Sequence, residues 1–440
     1  MILKIGEDAW SSFISDMLAR LDVETAGLLF ARKLAAMERD VLVVERAFVV
    51  PEPAYVIRAH DQIRIDPVAL NRLTRPARDH GWSVFTVHTH PGAGSAQFSW
   101  ADDQGDARLM PAFAARIPGV DHGSVVLAAP AMAAARCFDH SGSPSAVGLR
   151  TVGATIRTLG TGLPTKANAW FHRQALALGE QGQAALRLSR VGIVGLGGTG
   201  SLVAAQLAHL GVGELVLLDA DVVEDSNVPR IVGARLKDAG HARKVDVATR
   251  YIDELGLSVK HQAVPRALAG EAELALLRGC DVVFSCVDTH SPRALLNRLA
   301  YDALVPVIDM GTAFRVDDSG ALIGDSGRVV VVGPGKPCLA CWGHLDPERI
   351  RVEALSQAER EEEVRAGYIE GAGVAQPSVI AFNAAVASAA VIEFLRIVTG
   401  FAASAPPPQR LAFSFSDGTV RRNRLAGSSA CTICGRASDG

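Results

Sequence analysis

The sequence predicts an α/β protein of two domains. Three observations carry this. Up to about residue 140, short β-rich runs alternate with helix-like stretches. From Arg190 onward, apolar strands alternate with helices, as in a doubly wound, Rossmann-like parallel sheet. Two Cys-x-x-Cys pairs then lie toward the end of the chain, a pattern that suits a zinc knot.

In the first domain, residues 1–145, the strands are DVLVVERAFVV, WSVFTVHTH and GSVVLAAP, and the helices include WSSFISDMLARL and WADDQGDARLMPAFAARI. A turn-forming stretch beginning at DHSGSPSAVG and a second loose segment, LGTGLPTKAN, predict a linker over 146–168. The second domain, 169–440, starts with a helix near Trp170. It continues with RVGIVGLG, ELVLLDAD, DVVFSCVD and VPVIDMG as buried strands, and LAFSFSDGTVRR reads as an edge strand. SVIAFNAAVASAAVIEFLRIVTG is about as long as a membrane span. Its Asn383, Glu393 and Arg396 favour a buried core helix instead.

The chain is 49% hydrophobic with a formal net charge of −3 and no long basic run, so a nucleic-acid partner is not expected. The N-terminal residues lack a signal-peptide pattern, and four of the seven cysteines pair as CxxC, so the expected compartment is the reducing cytoplasm, with no membrane association.

The stretch FTVHTHPGAGSAQFSWADD carries the first candidate site. Side chains alternate along a strand, so His88 and His90 share a face and both can meet one zinc ion. Asp102 is the natural third ligand. SWAD from Ser99 to Asp102 reads equally as an ordinary capped helix N-terminus. Glu24, just before an apolar segment, is a costly place for an acid without a partner, and a positioned carboxylate is what hydrolytic zinc chemistry needs.

ETAGLL followed by HTHP and S-x-x-D resembles the JAMM (JAB/MPN) zinc metalloproteases over most of residues 1–138. The resemblance implies that His88, His90 and Asp102 bind a catalytic zinc, that Glu24 is the general acid/base, and that Ser99 stabilises an oxyanion. Seven residues separate Pro91 from Ser99 where the family's usual pattern has six, an insertion that GAGSAQF can absorb.

RVGIVGLGGTGS ends a strand and opens a helix. It places Gly195, Gly197, Gly198, Gly200 and Ser201 where backbone amides can bind phosphate, with Asp219 nineteen residues after Gly200 for a ribose. That much also fits a nicotinamide or flavin enzyme. Arg230, Lys244 and Asp288 fit ATP with magnesium, although each singly reads as solvated surface charge.

Together these residues resemble the ThiF/MoeB and ubiquitin-activating superfamily over about 168–434. The resemblance implies that Asp219 holds the ribose, that Asp221 is a further cofactor-binding residue, that Asn227, Arg230 and Lys244 hold the phosphates, and that Asp288 holds magnesium. It also maps Arg173, in FHRQALALGEQGQAAL, to an arginine that reaches ATP in a neighbouring subunit, which implies a homodimer. Cys338, Cys341, Cys431 and Cys434 are expected to close a structural zinc site, with redox chemistry as the alternative. LDPERIRVEALSQAEREEEVRAGYIEGAGVAQP resembles the family's loop over the substrate tail. Ile369 stands where some members carry a thioester cysteine, and Cys137, Cys280 and Cys286 read as inert buried thiols, so no thioester is expected at the usual position.

The joint expectation is a bifunctional enzyme acting on a ubiquitin-like protein that ends in glycine, with adenylation at one site, peptidase or isopeptidase cleavage at the other, and a conjugating-enzyme-like acceptor. Sulfur-carrier activation for cofactor or cysteine synthesis uses the same adenylation chemistry. A NAD-dependent oxidoreductase and a non-catalytic scaffold complete the alternatives.

Overall fold

A computed structural model describes residues 1–139, 141–160, 169–317, 319–365, 377–402 and 408–435. It divides into two compact units, Met1–Leu163 and Pro164–Ser438.

The first unit has strands β1 (Ile2–Gly6), β2 (Ala26–Leu34), β3 (Val41–Val49), β4 (Tyr55–Arg58), β5 (Ile63–Ile65), β6 (Ser83–Thr89), β7 (His122–Ala129), β8 (Met132–Phe138), β9 (Pro144–Val152) and β10 (Ile156–Leu159). β4 and β5 form a separate hairpin. The others form a sheet in the order β1-β3-β2-β6-β7-β8-β9-β10, and β9 also pairs with β1, so the sheet closes on itself.

Period-two alternation divides the core between the sheet's two faces. Leu29 and Ala31 of β2 with Phe85 and Val87 of β6 pack with the helix Glu7–Met17 through Trp10, Phe13, Ile14 and Met17. Leu28, Phe30 and Val84 take the opposite face with Met110 and Phe113 of the helix Trp100–Arg116. His88 shares the parity of Val84, so it belongs to the face that this second helix covers.

The stretch expected to be a linker, 146–168, is not one throughout: its described part forms most of β9 and all of β10. Val147 and Leu149 are buried. β9 gains its stability from ladders with β8, β1 and β10, which the turn-rich composition around Gly142 and Pro144 conceals.

The second unit has β11 (Arg190–Val194), β12 (Glu214–Leu218), β13 (Lys260–Val264), β14 (Val282–Ser285), β15 (Val307–Val316), β16 (Leu322–Val332), β17 (Arg410–Ser414) and β18 (Thr419–Asn423). The order is β13-β12-β11-β14-β15-β16-β17-β18. The first five are parallel and the last three are added antiparallel. The strand order reverses at β11, which opens the ligand crevice of such sheets at that strand's C-terminal end.

LAFSFSDGTVRR is a hairpin rather than one edge strand: β17 lies between β16 and β18, and only β18 is the edge. The helix Ile380–Thr399 is long and apolar enough to cross a membrane. It packs on the sheet with Phe394 at 5.8 Å from the ring of Phe284, and its buried Glu393 is paired to Arg396 at 3.3 Å. The entry helix His172–Leu188 is kinked at Gly179, where φ is 74°.

Candidate metal centre and nucleotide site

In the first unit, β6 delivers His88 at its end and His90 just beyond, where the His90 amide donates to the Leu127 carbonyl. The Nε2 atoms of the two histidines are 3.1 Å apart. Asp102 Oδ1 lies 2.9 Å from His88 Nε2, and Asp102 Oδ2 lies 3.5 Å from His90 Nε2.

Two ligands of a tetrahedral zinc at about 2.0–2.1 Å stand roughly 3.3 Å apart. The observed separations match that geometry, and the donor set suits zinc. The expected metal trio is therefore brought together.

Ser99 is the N-cap of Trp100–Arg116. Its Oγ accepts from the Asp102 amide at 3.2 Å, and Asp102 Oδ2 accepts from the Ser99 amide at 2.6 Å. The capped-helix reading and the metal reading therefore hold together. Reciprocal capping turns the Asp102 carboxylate toward the histidines.

Glu24 lies beside the trio, its Oε1 4.0 Å from His90 Nε2. Its amide donates to the Ala59 carbonyl, and its own carbonyl accepts from Arg58 Nε at 3.1 Å. Burial raises the Glu24 carboxyl above the usual range against the pull of both histidines. Burial acts upward on Asp102 too, but hydrogen bonds from His88 and His90 outweigh it and hold that carboxyl well below its ordinary value. The Asp102 hydrogen bond raises His90.

In the second unit, the loop after β11 lies at the switch point. Gly195 has φ 90°, and a Cβ on Gly200 would stand 1.8 Å from the Gly195 carbonyl oxygen, so a side chain at Gly200 cannot fit. A Cβ on Gly198 would meet Asn383 at 2.4 Å. Nothing lies within 4 Å of the corresponding position on Gly197, and the helix Gly198–His209 has no side-chain cap. This is an open cradle of backbone amides at a helix N-terminus, the arrangement that takes phosphate.

Asp219, at the end of β12, accepts from the Leu196 amide at 2.6 Å and the Asp221 amide at 2.8 Å. It thus pins the glycine loop, a role the spacing did not reveal. Burial raises its carboxyl. Lys244 Nζ is 2.6 Å from Asp221 Oδ2 and 4.0 Å from Asp219 Oδ1, so Asp221 holds the lysine.

Asn227 is buried, with its Oδ1 accepting from the Glu224 amide, and the buried Arg230 Nε has no hydrogen-bond partner among the described residues. Asp288 is exposed just after β14, and Arg173 is exposed on the entry helix. Ser201 departs from expectation: it is buried, and its Oγ accepts from the Val232 amide at 3.1 Å. It braces the Asn227–Val232 segment because the first helical turn points it inward.

Sequence reading also missed Arg293. Its Nη2 donates to the Val287 carbonyl, and its Nε binds the fully buried Asp309, which fixes the turn before Asp288. A buried acid inside the apolar run VPVIDMG is the signal that could have found this pair.

The four cysteines meet, with Sγ–Sγ separations of 3.7 Å for Cys338–Cys341, 3.7 Å for Cys338–Cys431 and 3.5 Å for Cys341–Cys434. Sulfurs about 2.3 Å from a tetrahedral zinc stand roughly 3.8 Å apart, so the four-cysteine cluster fits a metal ion. Cys137 and Cys280 are buried; burial raises the Cys137 thiol to about 12 and also raises Cys286. Ile369 lies outside the described residues, as do Gly371 to Gln376 of the glycine-rich segment.

An open glycine loop at the switch point of a doubly wound sheet, followed by a four-cysteine cluster, defines an α/β domain with a candidate phosphate cradle. Residues 171–433 match the ThiF family model, and the chain belongs to the ThiF family. Residues 6–138 match the model described as prokaryotic homologs of the JAB domain, so the chain joins a JAB-type domain to a ThiF domain.

It is 31% identical over 234 residues to the adenylyltransferase and sulfurtransferase uba4 of Aspergillus niger, covering 53% of this chain and 44% of that protein. It is 32% identical to the adenylyltransferase and sulfurtransferase MOCS3 of Mus musculus, covering 60% and 52%. It is 34% identical to the molybdopterin-synthase adenylyltransferase of Salmonella typhimurium, covering 40% and 68%. The chain spans about half the length of the first two.

Proposed function

We propose that the second unit adenylates the C-terminal carboxylate of a small ubiquitin-like protein, with sulfur-carrier activation as the favoured setting. The observation that carries this reading is the ThiF match over 171–433, which coincides with an uncapped, open glycine loop. The relatives named as both adenylyltransferase and sulfurtransferase favour the sulfur-carrier setting over protein conjugation with its conjugating-enzyme-like acceptor. The adenylyltransferase relatives likewise favour ATP over the nicotinamide alternative.

In this reading the loop amides and Arg230 hold phosphates, Asp219 holds the ribose, and Lys244 is released from Asp221 to meet ATP. A carboxylate oxygen of the carrier attacks the α-phosphorus. The bond to the β-phosphate oxygen breaks, giving an acyl-adenylate and pyrophosphate. Asp288 would hold magnesium, which neutralises phosphate charge. Arg173, exposed on its helix, would reach the nucleotide of a second chain in a homodimer.

The first unit would trim a peptide or isopeptide bond beyond the same carboxyl end. A zinc ion at His88, His90 and Asp102 supplies Lewis acidity there. Glu24 takes and returns the proton, helped by the raised affinity for protons that burial gives it. Ser99 Oγ, which donates to Asp102 Oδ2 at 2.9 Å, would turn that proton to a developing oxyanion.

Pyrophosphate exchange into ATP, measured with and without a small carrier protein ending in glycine, tests the adenylation. Carrier-dependent exchange supports it, and hydride transfer from NADH without exchange overturns it. A Glu24→Gln chain that still trims an extended carrier overturns the proton-transfer role of Glu24, and a wild-type chain that leaves such a carrier uncut overturns the peptidase assignment. Sulfide incorporation into the adenylated carrier separates sulfur transfer from conjugation.

A further inference from the structure

His88 rides on a strand of a closed sheet and His90 directly follows that strand, tied to Leu127 of β7, but Asp102 rides on a helix reached through a loop with one residue more than the related pattern. We propose that Arg136 is the residue that positions Asp102 for the metal. The inference rests on reading His88, His90 and Asp102 as a zinc site.

Arg136 belongs to β8, directly opposite Ser124 of β7. Its Nε and Nη2 donate to Asp106 Oδ2 at 2.9 and 2.6 Å, and its Nη1 donates to Asp103 Oδ1 at 2.5 Å. Ser124 Oγ donates to the same Asp106 oxygen. The guanidinium also lies 3.8 Å over the Phe98 ring and 5.3 Å from that of Phe138.

Phe98 immediately precedes the cap residue Ser99, Asp103 follows Asp102, and Asp106 lies one helical turn further on the same face as Asp102. One planar group therefore grips the helix start at its entry, its first turn and its second turn, and fixes all three to the sheet that carries the histidines. The Asp106 carboxylate is buried, and its Oδ2 accepts from both Arg136 and Ser124, so this grip is a rigid one. The position of Asp102 is then set by the sheet and not by the length of the preceding loop. Gly92, with φ 75°, and the Ala93 amide bonded to the His90 carbonyl start a turn in that loop, which leaves slack for the extra residue.

Arg58 provides an internal comparison. It grips the other arm of the site through the Glu24 carbonyl and Thr25 Oγ1, but Glu24 is not a proposed ligand.

The test is zinc content and affinity of the full chain under competition with a chromophoric chelator. Wild type should hold two zinc ions per chain and His88→Ala one. Arg136→Gln should bind the first-unit zinc roughly 10–100-fold more weakly, as loss of an orienting group does. Arg136→Lys, which keeps the charge but loses the fork and the stacked plane, should fall between, and it supplies the answer if Arg136→Gln does not fold. Arg58→Gln should keep both ions at wild-type affinity.

Wild-type zinc affinity in both Arg136 variants overturns the proposal, as does an equal loss in Arg58→Gln, which would mark general loosening. Zinc content unchanged by His88→Ala would instead overturn the zinc reading itself.

Discussion

Ser99 and Asp102 cap one another: the serine hydroxyl accepts from the aspartate amide, and the aspartate carboxylate accepts from the serine amide at 2.6 Å while its other oxygen stands 2.9 Å from His88. One carboxylate serves the helix and the candidate metal together.

Those two duties separate by mutation. Ser99→Ala should cost the helix about 1 kcal/mol through the lost cap. Asp102→Asn keeps an oxygen for the Ser99 amide but loses the ligand charge, so it should lose the first-unit zinc with a smaller change in stability. Thermal unfolding beside zinc analysis distinguishes the two losses.

The glycine loop predicts opposite outcomes at two positions less than one helical turn apart. Gly200→Ala forces a methyl against the Gly195 carbonyl and should destabilise the second unit by about 1–3 kcal/mol. Gly197→Ala meets nothing within 4 Å and should fold normally, yet it should weaken ATP binding because its methyl intrudes on the open cradle. Calorimetric titration with ATP, alongside denaturant midpoints, checks both.

The cysteine cluster joins residues 338 and 341 to 431 and 434 across a long insert. Cys434→Ser should release one zinc per chain and make the segment around 431–435 quickly cleavable by protease, while the nucleotide loop stays folded. Limited proteolysis with mass mapping reads this directly.

His122 carries a pH dependence in the first unit. Its Nδ1 accepts from the Val84 amide at 3.0 Å, and burial lowers its pKa. Between the unfolded value near 6.5 and the lower folded value, the unfolded chain binds more protons, so stability is full above that window and falls as pH drops through it. The protection of the Val84 amide, taken relative to its intrinsic exchange rate at each pH, should fall from pH 7.5 to 5.5. A His122→Gln chain should lose that dependence.

The sequence alone determined the two-unit α/β plan, the shared face of His88 and His90, the glycine loop at the first strand of the parallel sheet, and the four-cysteine set. Each follows from local periodicity or from ligand chemistry at a fixed spacing. Only the tertiary structure decided that 144–159 completes a closed sheet, that Ser201 points inward, that Asp219 pins the glycine loop, and that Arg136 and Arg293 brace the candidate sites. Strand pairing, burial of a hydroxyl and an arginine's choice of carboxylate depend on partners tens of residues away, and a linear pattern carries no record of which partner the packed chain supplies.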